Sequence, residues 1–527
     1  MTIKEKLTPY FPGIILFVVF LLIGLFTYKD YGVAWDEPLQ RGPGLLSYNY
    51  MFHGNQELFQ KPTDNHGAGF EIPLIVFEKA MGLKDVRGIY LMRHLVTHIL
   101  FLLSALAFYI LALRLFKNKY LAIIAFLLLA CAPRLYAHSY FNSKDLPFLS
   151  MFTICLAFAR LTFSKNKPYL YLILGLLTGY ATSIRIMGIM LFAFLLIFMF
   201  IDLVNDIIKK EKPTKGLLNI GMFVLGSCAL LVAAWPYLWK SPVHNFAESF
   251  SKLSRFELWN GSILLQGKFI EAAKLPWTYF PNWFIIANPI LWLVAGLVGF
   301  GWILRDFFQK PLAYFQNTID RNFILYPACF LSPILSVYMF HSIIYDDWRH
   351  LYFIYPSFIL MGLYVVNKIL ESDFVKKNKT YTKVVLGVCG LQIALTCGFM
   401  VQAHPFQQVY FNQMVSHDEE YLRKNYEMDY WGVSNYQALK YILNNDESKK
   451  IYVTTIYPEI MQNNIDMLEE EDRNRLQLVH PDSSEYFITN FRFHPDDFQM
   501  QEEYSFKVLN STVIRVYRQR PHNFKVK

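Results

Sequence analysis

The sequence predicts a mainly α, polytopic membrane protein that carries a small α/β module at its C-terminal end. Three observations predict it. Only 17% of the 527 residues are charged and 54% are hydrophobic, whereas soluble domains are about a quarter charged. Apolar runs recur along the chain, and about 20 such residues cross a bilayer core of about 30 Å. After residue 402 the composition turns abruptly polar and charged.

The apolar runs place about eleven transmembrane helices, near 12–28, 91–114, 119–133, 146–163, 168–183, 186–206, 216–238, 286–304, 323–341, 351–369 and 384–402. The first follows MTIKEKLTPYF and ends without a small-residue cleavage site, so a retained signal anchor is expected. Basic residues mark alternate loops: Lys4 and Lys6; Lys117 and Lys119; Lys165 and Lys167; Lys209, Lys210, Lys212 and Lys215; Arg305 and Lys310; Lys376, Lys377, Lys379 and Lys383. This positive-inside bias predicts a cytoplasmic N-terminus, and an odd helix number then puts the C-terminal segment outside. A multi-pass protein of the cell inner (plasma) membrane is expected. The net charge of +9 reflects these loops, and no nucleic-acid partner is implied. The six cysteines all lie in apolar runs without CxxC spacing, which argues against a disulfide framework or a thiolate metal site.

Three segments are large on the outer side: loop 29–90, loop 239–285 and the tail 403–527. Residues 1–402 are thus expected to form the membrane region and 403–527 an extracytoplasmic domain. Within the tail, Asn435–Asn445 and Pro458–Arg475 read as amphipathic helices. Ile451–Ile456, Tyr486–Asn490 and the hairpin-like YSFKVLNSTVIRVY read as strands.

Chemistry concentrates on the same side. Trp35-Asp36-Glu37-Pro38 follows the first membrane helix. Its adjacent carboxylates suit a general base with an acidic partner, or form a solvated acidic turn. Asp145 closes the short outer turn RLYAHSYFNSKD at the start of a membrane helix. There it serves as a helix cap, a functional acid or both. Outer turns are ordinarily poor in cations, yet these carry Arg134, Lys144, Arg185 and Arg349. Arg185, in TSIRIMG, needs a partner in its apolar surroundings, either a carboxylate such as Asp36 or Asp145 or a ligand phosphate. Arg93, in YLMRHL, is expected to snorkel to the interface. The run Tyr345-Asp346-Asp347-Trp348-Arg349-His350 adds acid, base and aromatic character. Trp35, His66, His138, Tyr345 and His350 are candidate substrate contacts. The histidines lack the close spacing of a helical zinc site. Stretch PWTYFPNWF (276–284) reads first as an interfacial aromatic belt, with sugar stacking on Trp277 or Tyr279 the sharper alternative.

Paired acids, phosphate-suited cations and aromatics at one membrane face are what transfer from a lipid-phosphate donor requires. The pattern resembles the GT-C glycosyltransferases, in the protein O-mannosyltransferase and aminoarabinose-transferase branch. The residues that carry the resemblance are Asp36-Glu37, Asp145 within PRLYAHSYFNSKDLPF, PWTYFPNWFIIANP, DDWRHLYFIYP and HPFQQVYFN. It spans about residues 1–412, and the tail from 413 on does not match. The resemblance implies a polyprenyl-phosphate-linked sugar as donor and a protein, lipid or glycan hydroxyl as acceptor. It implies Asp36 as catalytic base with Glu37 and Asp145 in support, and Arg185, Arg349, Arg134 and Lys144 near the donor phosphate. No cofactor is implied outright, and a divalent cation is left open.

The alternative from another class is a transporter or flippase of a lipid-linked or anionic solute. Transporters place their charges near the midplane between repeated halves, and no repeat is visible here. A structural or sensory role leaves the charged outer turns unexplained. An Asp36–Asp145–Arg185 cluster at one membrane surface favours the transferase.

Overall fold

The computed structural model describes residues 8–60, 67–255, 259, 261–316 and 318–519. Among the described residues, eight helices are long and apolar enough to cross a membrane: Thr8–Asp30, Val86–Phe116, Asp145–Lys165, Gly188–Ile208, Thr214–Ala233, Ile290–Gln309, Arg349–Glu371 and Lys379–Gln402. Lys119–Ala130 and Pro133–Phe141 qualify together but are bent by 57°. Pro168–Ile184 and Phe323–Met339 are apolar and shorter. The chain is thus a multi-pass membrane protein. Every expected span coincides with a helix, but length and composition qualify eight or nine of them and do not establish eleven. Outward-facing apolar side chains such as Ile14, Leu22 and Phe26 leave the first helix exposed along its length, as lipid-facing surfaces require.

Local signals set the boundaries. Asp85 caps helix Val86–Phe116 by accepting from the Gly88 amide at 3.3 Å, so this helix starts before the expected residue 91. At 31 residues it runs about 46 Å, longer than a bilayer core. Its first turns therefore pack among loops and tail. Arg93 lies there and is buried against Glu71, its ion-pair partner. The expectation that it snorkels outward is corrected: an available carboxylate within the fold outcompetes the interface.

The outer turn expected at 134–145 is also corrected. Residues Pro133–Phe141 form a wholly buried helix, started by Pro133 and continuing the preceding helix beyond its bend. Loop 29–90 contains helices Asp36–His53 and Glu71–Ala80. Loop 239–285 contains helix Pro242–Arg255, hairpin β1 (Ser262–Leu265) and β2 (Lys268–Glu271), and helix Tyr279–Ile286. Tyr279 is buried in the core while Trp277 is exposed, so of these two only Trp277 fits an interfacial belt.

The tail forms a five-stranded sheet ordered β4-β3-β5-β7-β6, with β3 Ile451–Thr455, β4 Leu476–Leu478, β5 Tyr486–Thr489, β6 Gln501–Val508 and β7 Ser511–Arg518. Strand β3 is parallel to β4 and β5, and β7 is antiparallel to β5 and β6. Leu509 and Asn510 turn the β6–β7 hairpin with positive φ, the geometry that matches strand twist. Helix Asn435–Asn445 is present as expected. The expected helix Pro458–Arg475 is two helices, Pro458–Asp466 and Glu470–Arg475. They are broken where Met467 and Leu468 turn into the core.

Candidate active site

Four helix ends meet two tail segments at one end of the bundle, around a cavity of about 480 Å³. Asp36 and Asp145 open their helices, Arg185 ends Pro168–Ile184, and Arg349 heads Arg349–Glu371. The tail adds Tyr430 and Trp431 from one strap and Arg492 and Phe493 from the loop after β5. Close approach makes room for this convergence. A Cβ on Gly67 or Gly69 would strike Ser183, and the Gly69 amide donates to the Ser183 carbonyl at 3.1 Å. The loop thereby lies directly on the helix end that carries Arg185.

Arg349 is the centre of the charge arrangement. Its guanidinium lies 3.5 Å from Asp36, 3.4 Å from Asp145 and 3.3 Å from Asp346. The rings of Tyr345 and Trp431 each lie 4.8 Å from it and fix it by cation–π attraction. Asp145 is also paired with Arg185 and accepts from the Asn142 amide group at 3.0 Å. Asp346 bridges Arg349 to Arg492, the latter at 3.0 Å. Asp36 is the most open of the three acids, its side chain 29% exposed. Burial raises its pKa, Arg349 pulls it back down, and neighbouring Asp346 raises it again.

The cavity lining thus holds four cations, Lys144, Arg185, Arg349 and Arg492, and two carboxylates, Asp36 and Asp346, with Asp145 as a third behind Arg185 and Arg349. The excess of one positive charge suits a monoanionic phosphodiester. The lining also includes the apolar side chains of Ile186, Met187, Met190, Val337, Phe340 and Ile343.

The sequence-expected residues divide cleanly. Trp35, Asp36, Lys144, Arg185, Tyr345, Arg349 and His350 line the cavity, and Asp145 reaches it through Arg349 and Arg185. Glu37 does not line it. Its buried carboxylate accepts from the Ala34 amide at 2.9 Å and meets His94 at 3.1 Å, which fixes the turn presenting Asp36. Arg134 is turned away as well, held by Asp347 and the Tyr410 carbonyl, each at 3.0 Å. His138 lies behind Trp431, whose indole N–H donates to it at 3.2 Å. His66 lies outside the described residues.

Asp346, Tyr430, Trp431, Arg492 and Phe493 were not anticipated as site residues. Asp346 belongs to a turn whose charge was visible, and its positive φ, shared by Asp347, is unusual for non-glycine residues. Tyr430 and Trp431 lie in an aromatic, acidic stretch without a known pattern. Arg492, flanked by Phe491 and Phe493 at positive φ, carries no sequence signal. Among the described residues, no group of three or more His, Cys, Asp or Glu side chains is arranged to hold a metal ion. Arg349 occupies the point on which the three aspartates converge.

Behind this wall, Glu427 is buried and its pKa is pushed up to about 8 by that burial, against the pull of Arg492. In the unfolded chain its pKa is about 4.3. The native state therefore holds a proton that the unfolded state releases, and stability from this group falls as pH rises from about 4.3 towards about 8. Glu427→Gln is expected to raise the melting temperature relative to wild type at pH 8, with the gain shrinking at pH 5. A melting series across that range checks it. An equal or larger gain at pH 5 would contradict a native-state proton.

Residues 90–230 match the family model described as dolichyl-phosphate-mannose-protein mannosyltransferase. The resemblance to this branch of the GT-C glycosyltransferases is therefore shown over that segment. No curated protein matches the chain. Among solved structures, oligosaccharyltransferase AglB from Archaeoglobus fulgidus, in complex with an inhibitory peptide and a dolichol-phosphate, is similar at 11% identity and TM-score 0.49. The match covers 90% of this chain and 65% of that one. The apo form of the Archaeoglobus fulgidus oligosaccharyltransferase is similar at 10% identity and TM-score 0.48, covering 91% and 69%. ArnT from Cupriavidus metallidurans bound to undecaprenyl phosphate is similar at 11% identity and TM-score 0.43, covering 98% of each chain.

Proposed function

We propose that the chain is an integral-membrane glycosyltransferase that moves a sugar from a polyprenyl-phosphate donor to a hydroxyl acceptor at the extracytoplasmic face. One observation carries this reading. Arg349, at the head of a membrane helix, stands among Asp36, Asp145 and Asp346 in a cavity that also has an apolar lining. A lipid tail fits along that lining, its phosphate meets Arg349 with help from Arg185 and Lys144, and the sugar extends towards Asp36. Asp36 takes the proton of the acceptor hydroxyl as the acceptor oxygen bonds to the anomeric carbon. The bond from that carbon to the phosphate oxygen breaks, and polyprenyl phosphate leaves with the electron pair beside Arg349. Attack from the face opposite the leaving phosphate inverts the anomeric centre. In this reading residues 1–402 form the catalytic membrane region, and 403–527 form an extracytoplasmic domain that roofs the site.

The transporter alternative is less well supported, because the charges gather at helix heads instead of midway along the spans. Reconstitution in liposomes loaded with a polyprenyl-phosphate sugar separates the two. The transferase is expected to generate free polyprenyl phosphate when membrane extract supplies the acceptor. Movement of intact lipid-linked sugar between leaflets, with no free polyprenyl phosphate, would instead establish the transporter.

A further inference from the structure

The tail reaches Arg349 by two independent routes, and neither follows from the resemblance, which stops near residue 412. In the first, Trp431 supplies one of the two rings that hold the guanidinium. The indole N–H only donates, so His138 Nε2, its partner at 3.2 Å, is an acceptor. The Tyr430 hydroxyl beside it donates to Asp347 at 2.7 Å. The Trp431 carbonyl in turn accepts from the Trp35 amide at 3.0 Å. One tail residue thus touches both the Arg349 cation and the turn that presents Asp36.

In the second route, Arg492 shares the Asp346 carboxylate with Arg349, one oxygen to each guanidinium, and also binds the Tyr430 carbonyl. Its loop is braced from below. Phe491 lies 4.1 Å from the Arg423 guanidinium and 5.4 Å from that of Arg515, and its amide donates to the Thr489 hydroxyl at 3.0 Å. Positive φ at Phe491 and Phe493 is costly for bulky residues and persists only where the surroundings enforce it. Here the bracing is spent on aiming Arg492 at Asp346.

We infer that the tail is a positioning element for the phosphate-binding cation: His138, through Trp431, and Arg492, through Asp346, set where Arg349 stands. The inference rests on the proposed role of Arg349 towards a lipid phosphate. His138 and Arg492 are positioning residues in this scheme, acting through another side chain.

The test is the affinity of the full-length purified chain for undecaprenyl phosphate. Arg349→Ala, His138→Phe, Trp431→Phe, the His138→Phe/Trp431→Phe double variant, Arg492→Ala and Arg492→Lys are compared, each checked for a cooperative melting transition above the assay temperature. Loss of one supporting hydrogen bond is expected to weaken binding about 3- to 10-fold in His138→Phe and in Arg492→Ala. Arg492→Lys, which keeps the charge towards Asp346, is expected to fall between Arg492→Ala and wild type. In the Trp431→Phe background there is no indole N–H left to hold, so His138→Phe is expected to cost nothing further. His138→Gln, which restores an acceptor, serves where the phenylalanine variant fails to fold, and is expected to bind nearly as wild type. Full additivity of His138→Phe and Trp431→Phe would overturn the first route, and unchanged affinity in Arg492→Ala the second. If Arg349→Ala weakens binding while every tail variant binds as wild type, the positioning role fails and the proposed function stands. If Arg349→Ala itself leaves binding unchanged, both fall.

Discussion

Asp36→Asn is expected to lower sugar transfer by about 10²–10⁴-fold, the range that general-base catalysis supplies, while the protein remains folded. The substitution keeps the shape of the side chain and removes its capacity to accept the proton, together with the charge that faces Arg349. Asp36 is suited to the role because it is the partly open member of the acidic trio. Asp145 and Asp346 each hold two cations. Burial raises the pKa of Asp36 above the ordinary carboxylate value while Arg349 opposes the rise, so the ionised form is a stronger base than an exposed aspartate. Turnover of the purified variant, with melting temperature as the control for folding, decides the matter. Near-normal turnover in a folded Asp36→Asn protein would remove Asp36 from the mechanism.

Arg349→Met is expected to do damage of a different kind, to stability as well as to transfer. The guanidinium is only 5% exposed and is shared among three carboxylates. Removing one partner of a buried charge cluster costs about 3–5 kcal/mol, so the melting temperature should drop markedly. The protein that remains folded should lose donor affinity, since one of the cations facing the phosphate is gone, and transfer should fall by about 10²–10³-fold. A pH signature separates this from simple destabilisation. Arg349 lowers the pKa of Asp36; without it that pKa rises. The rate depends on ionised Asp36, so it climbs with pH through that pKa, and the acid limb of the profile should move to higher pH. A pH–rate profile of residual activity measures this. An acid limb that stays in place would mean that Arg349 and Asp36 are not coupled as their 3.5 Å separation implies.

The charged half of this site was legible before any coordinates because charges at the ends of apolar helices stand out against their surroundings. Asp145, Arg185 and Arg349 satisfy that description, and Asp36 stood out as one of two adjacent acids shortly after the first apolar run. Adjacency misled at Glu37. Successive residues on a helix point about 100° apart, so when Asp36 faces the cavity Glu37 faces the packed interior and His94. Arg134 misled for a related reason: the segment taken for a turn is a buried helix, and Asp347 captures its charge. The tail contribution was not legible. Trp431 and Arg492 come to Arg349 from segments far apart in sequence. Their roles depend on how the strap and the loop after β5 fold back over the membrane helices, which hydrophobic periodicity does not encode. The apolar spans were read nearly in full, whereas helices Asp36–His53, Glu71–Ala80 and Pro242–Arg255 in the outer loops were not. The errors fell on boundaries, where Asp85 and Pro133 act, and on the break at Met467, where two buried side chains override a continuous amphipathic pattern.

Sugar release from a panel of radiolabelled polyprenyl-phosphate hexoses and pentoses, by the purified wild-type protein and by Asp36→Asn, tests the proposed chemistry most directly. With membrane extract as acceptor and divalent metal supplied, the wild type is expected to release label from at least one donor while the variant releases little. No release from any donor by a folded wild-type protein would contradict a lipid-phosphosugar transferase.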